Sequence, residues 1–276
     1  MRNFVFIFSL IMVTSLSAQK QQTIEPTLLE CRYQLVQLSD TVNHNKSAED
    51  EIVLRIGKTV SQSFNYNRFY GDSLMSTPQG NKLWGVMMMK SIKSRQYGTM
   101  PIAHTSVSEY VYKNYPQGKL TCTDQFKLTF YQYDETMMTQ QWQTVDSTKQ
   151  ILGYNCQKAE CDFRGRHYIA WFAIDIPLNN GPWKLSGLPG LILEAYDNKD
   201  HYHFTAVSIK QNSAEPICFY HFNNFIKTDR NTLFKEKRKF RNSDNKAEQL
   251  EGESGINLNV GMSSHAKPTF DTLEKF

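Results

Sequence analysis

A short segment rich in glycine and proline constrains the fold of this chain more than any other part of its sequence. Residues 181–194 read Gly-Pro-Trp-Lys-Leu-Ser-Gly-Leu-Pro-Gly-Leu-Ile-Leu-Glu. Proline fixes φ at about −65° and glycine accepts a positive φ, so Pro189 and Gly190 are predicted to form the centre of a type II turn. The apolar run at 191–193 predicts a short strand buried on both faces. We therefore expect this segment to hold one rigid shape.

The first 18 residues are typical of a secretory signal peptide. Arg2 supplies the positive start, residues 4–16 are mainly apolar, and small residues at 17–18 precede the predicted cleavage site. This apolar run is too short to span a bilayer. The first cysteine is Cys31, so no lipid-anchor cysteine stands at the cleavage site. The predicted localisation is periplasmic or secreted, with no stable membrane span after cleavage.

Composition and turn spacing favour a mainly β fold. Aromatic residues make up 13% of the chain, which suits strands, and turn signals recur at short intervals. We expect a curved antiparallel sheet or open barrel with few helices, similar in shape to the periplasmic lipoprotein-carrier fold. Residues 19–241 are predicted to form a single β-rich domain, and residues 242–276 a polar, loosely ordered tail. The net charge of +4 is too small to indicate a nucleic-acid partner.

Individual elements follow from local patterns. Alternation at 29–35 predicts a half-buried strand, and residues 151–175 predict a hairpin that turns at Gly165. Residues 67–80 are predicted to be irregular or weakly helical, and residues 83–89 to form a short helix, with a core strand as a nearly equal alternative. A basic helix is expected after Thr228 or Asp229, either of which is a suitable N-cap.

Five cysteines leave the disulfide pattern open. They are Cys31, Cys122, Cys156, Cys161 and Cys218. In an exported protein one or two disulfides can form, and the odd number leaves at least one thiol. On one extended strand Cys156 and Cys161 would lie roughly 16 Å apart, which is too far for a bridge. Small buried hydrophobic residues are at least as good an interpretation.

The hexapeptide at 187–192 resembles the signature of the GLPGLI family of exported Bacteroidota proteins. Matching features lie upstream, at 153–159, 163–166, 170–172 and 54–57. The resemblance covers roughly residues 28–225 and implies export and a GLPGLI-type domain. The molecular function of that family is uncharacterised, so the resemblance lends no catalytic residue.

Candidate binding residues come from the segment and from two nearby tryptophans. We expect these side chains to stiffen or line one wall of a binding surface: Gly187, Leu188, Pro189, Gly190, Leu191, Ile192, Trp171 and Trp183. The metal-binding candidates, which lack any H-E-x-x-H or C-x-x-C context, are His167, His201 and His203.

These patterns favour a binding function over catalysis. The sequence contains no G-x-S-x-G, G-x-G-x-x-G or P-loop motif, and no cofactor is expected. The first hypothesis is a non-catalytic binding or carrier module of the cell envelope for an apolar ligand, a peptide or an envelope partner. The alternative is a periplasmic metal-binding protein or metal-dependent hydrolase that uses the three histidines. A third possibility is a structural partner in an outer-membrane assembly.

Overall fold

The computed structural model describes residues 21–38, 47–94, 107–127, 129–220, 225–242 and 273–274. The predicted signal peptide at 1–18 and most of the predicted tail lie outside these ranges. Among the helices within them, none has the length and apolar character needed to cross a bilayer.

Fourteen strands and three helices make up the described part of the chain. The strands are β1 (Gln21–Glu25), β2 (Leu29–Leu38), β3 (Ser47–Ile56), β4 (Ser61–Asn65), β5 (Tyr110–Lys113), β6 (Lys119–Phe126), β7 (Thr129–Thr136), β8 (Gln143–Ile151), β9 (Tyr154–Phe163), β10 (Arg166–Ala173), β11 (Leu191–Asp197), β12 (Tyr202–Gln211), β13 (Ile217–Tyr220) and β14 (Ile226–Lys227). The helices are α1 (Tyr66–Met75), α2 (Pro78–Ser94) and α3 (Arg230–Asn242). The prediction of a mainly β fold is confirmed.

Twelve strands form one large sheet in the order β14-β7-β6-β5-β4-β3-β2-β12-β11-β10-β9-β8. The remaining two, β1 and β13, pair with each other. All neighbours in the large sheet are antiparallel except β14 and β7, so the sheet is mixed rather than purely antiparallel. Its edge strands, β14 and β8, do not pair with each other in the described part of the chain, so the sheet is not closed into a barrel.

Sequence alternation correctly located several of these strands. In β2, buried residues alternate with more exposed ones from Cys31 onward, as predicted for a half-buried strand. The predicted hairpin turns at Arg164-Gly165, where both residues have positive φ (53° and 71°) and suit a tight primed turn. The upstream arm is shorter than predicted because Leu152 and Gly153 also have positive φ and separate β8 from β9.

The segment at 67–80, predicted to be irregular or weakly helical, lies mostly in α1 and in the start of α2. The side chain of Asn65 accepts hydrogen bonds from the backbone N–H groups of Asn67 (2.9 Å) and Arg68 (3.2 Å), which caps α1. The helix predicted at 83–89 is confirmed as part of α2, where Trp84 is buried while Val86 and Met89 are exposed. The third helix begins directly after Asp229, whose carboxylate accepts from the Thr232 N–H at 2.9 Å. This confirms the predicted cap.

Two residues of the predicted C-terminal tail are described by the structure, and both are buried. Leu273 and Glu274 are 8% and 1% exposed and lie in the interior beside α3. The loosely ordered tail at 242–276 stays a prediction. The rest of the tail lies outside the described residues.

Candidate functional site

The segment at 181–193, called here the Gly-Pro segment, lies in the interior of the protein. Trp183, Leu185 and Leu188 are at most 2% exposed. Two hydrogen bonds join the segment to distant strands. Tyr33 Oη donates to the Ile192 carbonyl at 2.7 Å, and the Trp183 N–H donates to Ser63 Oγ at 3.0 Å. These contacts hold the segment in one position against the sheet. The predicted strand buried on both faces is present at the start of β11.

The predicted type II turn at Pro189-Gly190 is wrong in its geometry. Gly187, not Gly190, has the positive φ, at 101°. Gly190 is required for a different reason, since a Cβ there would lie 2.1 Å from the carbonyl oxygen of Ala173 on β10. The sequence shows which residues are glycines but not which of them faces another backbone.

A buried lysine holds the start of the Gly-Pro segment. Lys113 Nζ on β5 donates to Asn180 Oδ1 (2.9 Å), to the Gly181 carbonyl (2.8 Å) and to the Leu185 carbonyl (2.6 Å). Burial lowers the pKa of Lys113 from its ordinary value near 10.5 to about 7. The three acceptors match the three donors of an ammonium group, so this contact changes with pH in the neutral range.

We expect the free energy of unfolding of the wild type to rise, relative to a Lys113→Met variant, by about 1 kcal/mol between about pH 7 and pH 8. In this range the unfolded lysine stays protonated, while the folded one loses its proton above a pKa of about 7. The unfolded state then binds more protons, so raising the pH favours the folded state. Urea melts at matched pH values measure the difference. Equal pH slopes for the two proteins would contradict the prediction.

A group of six charged residues lies beside the Gly-Pro segment and is called here the interior charge cluster. Its members are Glu109, Glu135, Arg164, Lys184, Arg230 and Glu274. Lys184 is its centre: Nζ donates to Tyr133 Oη at 2.8 Å, forms an ion pair with Glu274, and lies 3.9 Å from Glu109.

The charges of the cluster are largely paired with one another, although Glu135 Oε2 and Arg164 Nε have no hydrogen-bond partner among the described residues. Arg230 Nη1 contacts Glu274 Oε2 at 2.6 Å, and Arg230 Nε lies 3.0 Å from Glu135 Oε1. Burial would lower the pKa of Lys184, but the surrounding Cys122, Glu109 and Glu274 raise it above its ordinary value. Burial likewise opposes ionisation of Glu109, yet Lys184 and Lys237 hold the pKa of Glu109 below its usual range. Lys184 and Glu109 are therefore charged at neutral pH and stabilise each other.

The two candidate tryptophans do not form one wall. Trp183 packs against Tyr168 of β10, with ring centroids 6.2 Å apart. Trp171 is three residues along the same strand, so strand alternation places it on the opposite face. There the ammonium of Lys149 lies 4.4 Å from its ring centroid, and Lys149 pairs with Glu194.

The three candidate histidines each contact their own carboxylates. His167 Nδ1 lies 2.9 Å from Asp162 Oδ1, and this hydrogen bond raises the pKa of His167. His203 Nε2 lies 2.8 Å from Glu194 Oε1, which raises the pKa of His203 although its burial opposes this. His201 Nδ1 lies 4.0 Å from Asp197 Oδ2 and 3.4 Å from Arg166 Nη1. Across the described ranges, no group of three or more His, Cys, Asp or Glu residues is arranged to hold a metal ion.

All five cysteines are buried free thiols. The possible disulfides are therefore not formed, and the interpretation as small buried hydrophobic residues holds. Burial raises the pKa of Cys31 to about 12, of Cys156 to about 11 and of Cys161 to about 12. At neutral pH these three groups are thiols rather than nucleophilic thiolates.

Sequence reasoning missed the interior charge cluster. Glu109, Glu135, Arg230 and Glu274 come from four separate parts of the chain, and no local pattern joins them. One signal was available: Lys184 stands between Trp183 and Leu185 in a segment predicted to be rigid and apolar. A lysine in such a setting needs a buried partner.

The fold and its interior define a β-rich domain built around a fixed Gly-Pro segment and a closed cluster of charges. Comparison with protein families matches residues 73–233 to PNGase_F-II_N, described as "N-glycanase peptide, N-terminal domain". This match covers more than half of the 276 residues, and the chain belongs to this family.

Solved structures and curated proteins were also compared with the chain. It is similar to PNGF-II in its P21 crystal form (TM-score 0.46, 18% identity) and in its C2 form (TM-score 0.46, 16% identity). Each similarity covers 76% of this chain and 32% of the PNGF-II chain, so this chain spans about a third of the length of that protein. No curated protein matches it.

The family match corrects the assignment suggested by the hexapeptide. The chain belongs to the PNGase F-II N-terminal domain family and not to the GLPGLI family. The assignment was wrong because one short motif and its neighbouring hairpin were treated as evidence for the family of the whole domain. In the structure the apolar residues of this motif, Leu188, Leu191 and Ile192, are interior packing positions, and such positions specify local geometry.

Proposed function

We propose that this chain is an exported, non-catalytic binding module, and that it binds an extended polypeptide, such as a segment of an envelope partner, at the free edge of β8. The observation that carries the proposal is the position of this strand. β8 is nine residues long, ends the large sheet, and pairs only with β9 within the described residues. Such an edge offers a row of backbone N–H and C=O groups to an added strand.

The character of β8 supports this use. The side chains of Thr144, Thr148 and Gln150 are exposed, and the strand reads Gln-Thr-Val-Asp-Ser-Thr-Lys-Gln-Ile. An edge of this polarity does not require a hydrophobic cover. A bulge between Val145 and Thr148 interrupts the regular ladder, which limits uncontrolled pairing between copies of the chain.

The interior supports a polypeptide ligand more than an apolar small molecule. Two cavities beside Trp183 and Lys184 each measure about 10 Å³. That is room for about one water molecule, not for a lipid. The ionisable groups nearest to them belong to the interior charge cluster, whose charges are largely paired with one another.

The family description supports the same proposal. It refers to the N-terminal domain of an N-glycanase. A domain of this kind can contribute to such a protein by holding a polypeptide while the reaction takes place elsewhere. Under this proposal the present chain likewise binds a polypeptide.

The test begins with the full chain purified from its own cell envelope. Native mass spectrometry is expected to show a bound polypeptide, and hydrogen exchange is expected to show slower exchange at 143–151 in the complex than in the stripped protein. Thr148→Ala keeps the backbone N–H and should retain binding. Thr148→Pro removes it and should weaken binding if that N–H faces the edge. A bound lipid or metal instead of a polypeptide, or unchanged exchange at β8 in the complex, would count against the proposal.

A further inference from the structure

Two residues near the C-terminus are bound in the interior much as a peptide ligand is bound in a receptor. Tyr168 Oη donates to the Leu273 carbonyl at 3.0 Å. One oxygen of the Glu274 carboxylate forms an ion pair with Lys184, and the other forms an ion pair with Arg230. The Leu273 side chain joins the hydrophobic core.

The site that receives Glu274 is built from elements far apart in the sequence. Lys184 comes from the Gly-Pro segment, Arg230 from the first turn of α3, and Tyr133 from β7. Tyr133 Oη accepts from Lys184 Nζ at 2.8 Å and donates to Glu109 Oε1 at 2.8 Å, which fixes the ammonium in place. The position of Lys184 therefore depends on the β-rich domain and not on Glu274 alone.

Charge balance shows what this site requires. The interior charge cluster holds three cationic groups (Arg164, Lys184, Arg230) and three carboxylates (Glu109, Glu135, Glu274). Without Glu274 it would contain one excess positive charge, next to a lysine side chain with 0% exposure. An unpaired buried cation is costly, so the site selects a carboxylate from whatever peptide supplies it.

We propose that this place is a binding site for a short acidic peptide with an apolar residue followed by glutamate, and that Leu273-Glu274 occupies it as an exchangeable ligand from the same chain. Recognition has three parts: a salt bridge with Lys184 and Arg230, a hydrogen bond from Tyr168 to the preceding carbonyl, and an apolar position for the leucine. This site is separate from β8, so the proposal stands independently of strand addition.

The probe is a fluorescently labelled peptide of residues 268–276, Pro-Thr-Phe-Asp-Thr-Leu-Glu-Lys-Phe. In the full-length Leu273→Ala/Glu274→Ala variant the site is vacated, and the peptide is expected to bind about ten-fold more tightly than to the wild type. A matched peptide with glutamine in place of the glutamate should bind the variant about ten-fold more weakly than the original, because it lacks the charge. Fluorescence anisotropy measures both ratios.

A second measurement separates a binding site from a purely structural contact. The peptide is expected to raise the melting temperature of the double variant and to leave that of the wild type unchanged. If the double variant does not fold, full-length Glu274→Gln, which changes only the charge, replaces it in both measurements. Equal binding to the wild type and the variant, or no binding to either, would overturn the proposal. So would a wild-type dimer that Glu274→Gln abolishes, since the occupant would then come from a second copy.

Discussion

Replacing Gly190 by alanine is expected to destabilise the protein by about 4 kcal/mol or more, enough to prevent its accumulation as a folded protein. The added Cβ would lie 2.1 Å from the carbonyl oxygen of Ala173, 2.6 Å from its carbonyl carbon and 3.0 Å from the backbone nitrogen of Ile174. These are backbone atoms at the end of β10, so no side-chain rotation relieves the overlap. The only relief is to move the Gly-Pro segment away from the sheet, which would break its hydrogen bonds to Lys113 and Tyr33.

Two control variants separate this overlap from other effects of losing a glycine. Gly85→Ala lies in α2 with open space around it and is expected to be neutral or slightly stabilising. Gly118→Ala also meets open space but has φ of +74°, so it isolates the cost of backbone strain at about 1 kcal/mol. Chemical denaturation measures all three variants. A Gly190→Ala protein as stable as Gly118→Ala would show that the backbones at 173 and 190 do not lie in contact.

The sequence predicted the fold class and many elements because these depend on local patterns. Alternation identified β2, a glycine turn identified the β9–β10 hairpin, and a capping aspartate identified the start of α3. Two elements, β1 and β14, were missed: each is short, and β14 has only two residues. Whether such short segments form strands depends on the strands they pair with rather than on their own composition.

The helices show how tertiary context changes the interpretation of a pattern. Residues 67–80 carry glycine, serine and asparagine, and their propensity predicts irregular or weakly helical structure. The Asn65 cap and a buried pair between Arg68 Nε and Asp72 Oδ2 (2.8 Å) stabilise α1 instead. One member of that pair, Asp72, also accepts from Tyr110 Oη at 2.8 Å, a contact across 38 residues that no local pattern shows.

The candidate site was the part that sequence reasoning predicted least well. It located the Gly-Pro segment and recognised it as rigid, because proline and glycine act on the backbone directly. It grouped Trp171 with Trp183, although Trp183 packs against Tyr168 and alternation along β10 places Trp171 on the face opposite to Tyr168. It gave no role to Lys184 or Glu274, because ion pairs across 90 residues depend on the completed fold.

Replacing Lys184 by methionine is expected to cost about 3–5 kcal/mol, because it removes one partner from a buried ionic network and leaves the others charged. Methionine has a similar length, so it fills much of the same space, but it loses the interactions of the ammonium with the rings of Trp183 and Phe234. The loss is therefore electrostatic rather than a cavity effect. Glu109 would keep its hydrogen bonds from Tyr133 and Trp183 but would lose its nearest cation.

Adding Glu274→Gln to Lys184→Met should recover part of this loss, since it removes a carboxylate that the first substitution leaves short of positive charge. The matched control is Lys158→Met, which removes a lysine from an ion pair with Glu160 on the solvent-facing side of β9, where we expect little change. Urea denaturation at neutral pH of the wild type, Lys184→Met, Glu274→Gln and the double variant gives the coupling between Lys184 and Glu274 as a double-mutant cycle, with Lys158→Met measured beside them. A Lys184→Met variant no less stable than Lys158→Met would show that the ammonium is not enclosed among carboxylates. Additive losses in the double variant would instead show that Glu274 draws its stabilisation from Arg230 alone.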